Sequence, residues 1–206
     1  MVGLREKQKE ERQRRILEAA RQQFRSGNYR RVTIEAIAEK AGISAMTVYN
    51  YYGSKGGLLL ALVAESDRHL LAKIEALLAA KHHSALDAVI EFSLIIFDHA
   101  FSYIDRRTWE YVLASSILEG DSTFGRGYAE LDRELAKKLR QLLKTLNDED
   151  IIVRECDWDT AADVLYNIHN ARFVEYASDP EYSRDKIDAL VQRDLSFVVN
   201  QMTGVV

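Results

Sequence analysis

Between Thr33 and Lys55 the sequence gathers Thr33, Ser44, Thr47, Tyr49, Asn50, Tyr51 and Lys55. These are hydroxyl, phenol, amide and ammonium groups, whose common chemistry is hydrogen bonding to an acceptor-rich surface. Other reactive types are scattered. Asp98 precedes His99, and His169 and Cys156 are the remaining pairing of imidazole and thiol. Such pairs are raw material for proton transfer or nucleophilic attack. Yet no HExxH spacing, no glycine-rich phosphate loop and no nucleophile elbow accompanies them. No catalytic residue is assigned, and an enzyme is not expected. His82 and His83 are adjacent, so their side chains diverge and no metal site is expected there. No cofactor is implied.

The hydrogen-bonding stretch needs two short helices to hold it. It reads TIEAIAEKAGISAMTVYNYYGSKGGLL over residues 33–59. Thr33 is a suitable N-cap, and Ile34, Ile37, Ala38 and Ala41 then fall on one helical face. Gly42 stands where that helix must stop and turn. Ser44 can cap a second helix, carrying Val48 inward. Two short helices around a glycine turn make a helix-turn-helix, whose second helix can enter the major groove of DNA. By itself the pattern also suits an ordinary helical hairpin.

The continuation is more specific. Thr47-Val48-Tyr49-Asn50-Tyr51-Tyr52 leads into Gly53-Ser54-Lys55 and then Leu58-Leu59. Over residues 10–70 this resembles the tetracycline-repressor (TetR) family of bacterial transcription regulators. That family's pattern is T-hydrophobic-x-x-IA-x-x-AG-[VI]-S-x-x-T-[LV]-Y-x-[YH]-F-x-[ST]-K-x-x-L. Two positions depart from it. Tyr52 replaces the usual Phe, adding a hydroxyl to a core ring. Gly56-Gly57 replace the usual acidic pair, and each glycine weakens a helix by about 1 kcal/mol relative to alanine. The start of the fourth helix is therefore expected to be soft.

The resemblance implies roles position by position. Ala45, Met46, Thr47 and Asn50 would face the groove, Met46 and Ala45 against a thymine methyl and Asn50 on adenine or a phosphate. Tyr49, Tyr51 and Lys55 would hold phosphates, which set register without reading sequence. Thr33 would do the same from the start of its helix, and Ser44 opens the reading helix. Val48 and Tyr52 would pack inward.

Charge supports a nucleic-acid partner once it is divided. The 206 residues carry a net charge of −4. Residues 1–60 hold twelve Lys/Arg against six Asp/Glu, while the remainder holds sixteen against twenty-six. One end is thus basic and the rest acidic, the electrostatic footprint of DNA contact at that end. Arg5, Lys7, Lys9, Arg12, Arg14 and Arg15 crowd the start among Glu6, Glu10 and Glu11. They read either as a solvated helix start or as an arm touching phosphate or the minor groove.

One proline among 206 residues and abundant helix formers predict an all-α chain of about nine helices. The first spans about 10–26, the next two lie within 33–52, and the fourth runs from about Ser54 to Ala79. Further helices are expected near 85–104, 106–119, after Gly127 to about 146, 157–178 and 183–201. Glu119 to Gly127 reads as a glycine-rich loop. The polar interval Glu65–His69 suggests a boundary near residue 70. This gives a DNA-binding domain over 10–70 and a ligand-binding and dimerisation domain over 71–206. The lone Cys156 excludes an internal disulfide. With no secretion signal and no membrane span, a cytoplasmic protein is expected.

For the second domain the resemblance implies a small-molecule pocket and a homodimer interface. Phe92, Ile96, Trp109, Leu113 and Tyr128 are candidate walls, with His99, Asn167 and Asn170 as polar groups inside. Leu165 and Ile168 on the eighth helix, with Leu190, Val191, Leu195 and Val198 on the ninth, are candidates for pairing with a second copy. The function expected is a homodimeric regulator of double-stranded operator DNA, most simply a repressor released by an unidentified inducer. A ligand-independent or activating regulator of the same fold is the alternative. A helical enzyme or a scaffold is the remaining one.

Overall fold

The computed structural model describes residues 3–26, 29–118, 123–152 and 156–203. Among the described residues the regular elements are all helices, joined by short turns, without strands. The helices are α1 (Leu4–Ser26), α2 (Ile34–Ala41), α3 (Ala45–Tyr52), α4 (Lys55–Leu78), α5 (Ala85–Tyr103), α6 (Arg106–Leu118), α7 (Thr123–Asp148), α8 (Trp158–Ser178) and α9 (Arg184–Thr203). A 3-10 turn, Tyr29–Arg31, leads into α2. No helix among the described residues is long and apolar enough to cross a membrane.

Two compact units emerge, and they do not divide at one point in the chain. The first takes Met1–Ser66 and Ser102–Tyr128, the second Asp67–Phe101 and Ala129–Val206. The polar interval that suggested a boundary near residue 70 thus contains the first crossing. The return of 102–128 to the first unit has no sequence signal. It follows from packing: Thr108 on α6 is fully buried, and its hydroxyl donates to the Phe24 carbonyl at 3.1 Å. Tyr111 stacks on Tyr29 with ring centroids 4.8 Å apart.

In the first unit α1 packs on α2 and α2 on α3. Ile16, Ala20 and Phe24 of α1, Ile37 of α2, Val48 of α3 and Leu58 and Leu62 of α4 are all fully buried. α2 and α3 have only eight residues each. Helices so short are not stable alone in water. Their persistence comes from this burial and from their caps. Truncating Ile37 to alanine is expected to cost about 2–5 kcal/mol.

The second unit holds Leu70 and Ile74 of α4, Phe92 and Phe97 of α5, Leu139, Leu142, Leu143 and Leu146 of α7, and Ile187, Val191 and Leu195 of α9. α8 packs along α9. Arg172 on α8 donates to Asp194 on α9 at 2.7 Å, closing that pair. An aromatic cluster of Phe97, Phe101, Phe173 and Tyr176 joins α5 to α8, with centroid separations of 4.7–6.1 Å.

Two expected boundaries move. α1 starts six residues before the expected Glu10, because its polar first turns continue the same helix. The predicted loop Glu119–Gly127 is largely helix from Thr123, and its first four residues lie outside the described ones. Gly127 is no loop hinge. A Cβ there would lie 2.5 Å from Leu60 Cδ2, so glycine permits a close helix contact.

Candidate nucleic-acid interface

The turn between α2 and α3 is built by its caps. The Thr33 hydroxyl accepts the Ala36 N–H at 3.2 Å and opens α2. Gly42 closes α2 at φ +65°, a left-handed conformation glycine adopts freely. The N–H groups of Gly42 and Ile43 donate to Glu39 and Ala38, each at 3.0 Å. Ser44 then accepts the Thr47 N–H at 3.2 Å and bonds the Thr47 hydroxyl at 2.8 Å. Thr33, Ser44 and Thr47 therefore shape the motif. Phosphate contact, if made by Thr33, comes in addition to capping.

This turn orients α3 with one face in and one out. Val48 is fully buried, while Met46 is 67% exposed and Tyr49 42%. Asn50 is exposed and free of intramolecular side-chain bonds among the described residues. Met46, Tyr49 and Asn50 lie at i, i+3 and i+4 and share one surface. An amide, a phenol and a thioether are thereby presented together on a short capped helix. Ala45, Thr47 and Tyr51 are half-buried beside them.

Lys55 differs from its expected role. Its ammonium donates to the carbonyls of Tyr29 and Val32 at 2.8 and 3.0 Å and lies 4.3 Å from the Tyr29 ring centre. Burial holds its pKa below the usual lysine value. Lys55 ties the first turn of α4 to the chain entering α2, rather than reaching out for phosphate. The partners stand 23–26 residues away. Local sequence reading could not find them.

Arg15 was missed as a structural element of this interface. Its guanidinium donates to the carbonyls of Ala41 and Gly42, at the helix-turn-helix turn itself. Tyr52 confirms the interest of its departure. Its hydroxyl is buried with no hydrogen-bond partner among the described residues, and burial pushes its pKa up to about 12. At the following turn, a Cβ on Gly57 would lie 2.1 Å from the Tyr52 carbonyl oxygen. Glycine at 57 is thus demanded by the close approach of α3 and α4. The Gly57 N–H donates to the Ser54 hydroxyl at 3.0 Å, which caps α4 where a soft start was expected.

Residues 16–62, which contain this whole arrangement, match the family model described as bacterial regulatory proteins, tetR family. The match to that family covers these residues alone, about the first quarter of the chain beyond its opening turns. Solved structures of similar fold agree along nearly the full length. A tetR-family regulator from Mesorhizobium loti is 17% identical with a TM-score of 0.67, covering 92% of this chain and 96% of that one. Thermus thermophilus FadR, solved with lauroyl-CoA, is 18% identical with a TM-score of 0.67, covering 92% and 94%. Bacillus subtilis FadR, solved with stearoyl-CoA, is 16% identical with a TM-score of 0.66, covering 94% and 99%. At such identities the likeness is one of fold. No curated protein matches the chain.

Within this fold the other candidate residues spread out. Phe92, Ile96 and His99 are buried on α5 in the second unit. Trp109, buried, and Leu113 and Tyr128, half-buried, belong to the first unit. Asn167 is exposed on α8, so it is no polar group inside an apolar helix. Its neighbours Tyr166 and Asn170 turn inward instead. The Tyr166 hydroxyl donates to Asp132 at 2.9 Å, and the Asn170 amide approaches the same carboxylate at 3.4 Å. Asp67 of α4 faces Asp132, and burial, then the Asp132 charge, pushes its carboxyl up to about 7. Burial raises Asp132 as well, opposed by its bonds from Tyr166 and Asn170. His169 is fully buried, its Nδ1 has no partner among the described residues, and burial pushes it down to about 3, so it is neutral. Asp67, Asp132 and Tyr166 were not singled out from sequence, because their meeting joins three helices.

The pairing candidates need correction too. Leu165, Val191 and Leu195 are completely buried within one copy, and Ile168, Leu190 and Val198 are half-buried. The periodicity found the stripe that packs α8 and α9 onto their own unit. The apolar residues left outside are Val164, Val174 and Phe197, at 42%, 44% and 73% exposure. No group of three or more His, Cys, Asp or Glu among the described residues could hold a metal ion.

Proposed function

We propose that this chain is a homodimeric, sequence-specific DNA-binding repressor that a small molecule releases from its operator. The observation that carries the reading is the outward face of α3. Met46, Tyr49 and Asn50 are exposed together on a helix whose position is fixed by two capped ends and the buried Val48. Asparagine can bond the N6 and N7 edge of adenine, and an apolar side chain can touch a thymine methyl. The basic first sixty residues supply the attraction to phosphate.

Two such heads in a symmetric dimer would read half-sites about 34–36 Å apart, or a multiple of that spacing. The exposed Val164, Val174 and Phe197 on α8 and α9 supply apolar surface for pairing. The effector site is assigned to the C-terminal domain on the family resemblance, supported by the acyl-CoA complexes of the two FadR structures. A ligand shifts the DNA affinity only through its preference for one head arrangement over another. α4 runs continuously from Lys55 to Leu78 through both units and is the covalent path for that preference.

The test is a mobility shift with purified protein and the DNA upstream of its own gene, against scrambled competitor, at two salt concentrations. Binding that survives competitor and weakens with salt supports the reading. Equal, weak binding to both DNAs, repeated with other candidate upstream regions, counts against it.

A further inference from the structure

The first turns of α1 are unlike the rest of the head. The family match begins at residue 16, which is also where burial begins: Ile16 is completely enclosed. Residues 6–12 are all exposed, yet they continue the same helix. At 1.5 Å per residue, the seven exposed residues from Glu6 to Arg12 project about 10 Å beyond the packed part.

Their charges are sorted around the helix. Gln8, Lys9, Arg12 and Arg15 follow the spacing i, i+1, i+4 and i+7, and so share one face. That face runs directly into Ile16 and Ala19, which are buried where α1 packs on α2. Arg15 fixes its direction, since its guanidinium rests on the carbonyls of Ala41 and Gly42 at the turn before α3. The helix therefore carries Lys9 and Arg12 outward past that turn. The carboxylates lie elsewhere on the cylinder: Glu6 and Glu10 on the far side, and Glu11 to one edge. Glu11 is held by Arg14 in a two-pronged pair at 2.7 and 2.9 Å. Lys9 and Arg12 make no hydrogen bond or ion pair among the described residues. A stripe of unpaired cations, continuous with the helix-turn-helix face, complements a phosphate backbone.

We propose that the projecting turns of α1 form a second, sequence-independent DNA contact, in which Lys9 and Arg12 bind phosphates beyond the base pairs that α3 reads. The proposal rests on the DNA-binding reading above. A projection of about 10 Å spans about three nucleotides of one strand at 3.4 Å each. The stripe is rigid where a disordered arm would not be, so it positions the head as well as attracting it.

The experiment compares the full chain with Lys9→Gln/Arg12→Gln and with a charge-matched control, Lys137→Gln/Lys144→Gln, on exposed positions of α7. The probe is a duplex selected by the unaltered protein from a random-sequence pool. Each lost phosphate contact lowers the salt slope by about 0.9, so the α1 variant is expected to lose about 1.8 per bound head. Its affinity at low salt should fall at least tenfold, with the selected base sequence unchanged, while the control keeps both slope and affinity. An unaltered slope in the α1 variant, with specific binding intact, overturns the proposal. So does an equal loss in the control, which would make the effect one of net charge alone. A shifted base preference overturns the sequence-independent character. Failure of the unaltered protein to select any sequence would instead strike the DNA-binding reading itself.

Discussion

Replacing Asp67 by Asn should stabilise the protein, and by an amount that grows with pH. Asp67 sits on α4 against Asp132 of α7, which already accepts bonds from Tyr166 and Asn170. Burial first, and the Asp132 charge second, lift the Asp67 carboxyl from its ordinary 3.8 to about 7. In the unfolded chain the proton leaves near the ordinary value. Between those two values the folded state binds more protons than the unfolded one, so stability falls as pH rises through this window. Above about 7 the full penalty is present. A displacement from 3.8 to about 7 corresponds to a ceiling of about 4 kcal/mol. Asp67 is only partly shielded from water, so about half of that, roughly 2 kcal/mol, is the better expectation. For a chain of this size 1 kcal/mol moves the melting temperature by about 2–4 °C. The variant should therefore melt about 4–8 °C higher at pH 8, with a gain that shrinks steadily toward pH 4.5. Circular dichroism melts at a series of pH values measure this. A gain independent of pH, or a loss at pH 8, would refute the like-charge argument.

Tyr52→Phe removes a buried hydroxyl that lacks a partner, so it should raise stability by about 1–3 kcal/mol in chemical denaturation without weakening DNA binding. A loss of stability would show that the hydroxyl is satisfied. Gly57→Ala places a methyl against the Tyr52 carbonyl oxygen, and should lower the melting temperature and reduce DNA affinity at least tenfold in a mobility shift. Phe197→Asp on the outward face of α9 should shift the proposed dimer toward monomer in sedimentation, and lower operator affinity with it. A monodisperse dimer at micromolar concentration would place the pairing surface elsewhere.

The head was legible because its signals are local. Thr33, Gly42 and Ser44 cap, turn and cap within a few residues, and each does so in the structure. The inward Val48 and outward Met46 follow from helical period alone. What was hidden depends on long-range pairing. Lys55 looks like a free cation until the carbonyls of Tyr29 and Val32 are brought beneath it. Thr108 looks like a C-terminal residue until it donates to Phe24. On α8 and α9 the difficulty is different. Both helices are apolar on more than one side, so periodicity cannot tell the stripe facing the unit's own core from the stripe facing out. Leu165, Val191 and Leu195 take the first, and Val164, Val174 and Phe197 the second. Gly57 shows the same limit in miniature. Its composition suggests looseness, whereas the space left for it, measured against Tyr52, shows constraint.

The central claim is that the outward face of α3 reads bases. It is tested most directly by selecting binding sites from a random-sequence pool with the unaltered chain and with Asn50→Ala. A two-fold symmetric consensus is expected for the unaltered chain. The variant should relax one base pair in each half-site, losing about 1–3 kcal/mol of discrimination there and little elsewhere. An identical consensus from both proteins would remove Asn50 from base reading, and no consensus from the unaltered chain would contradict the claim outright.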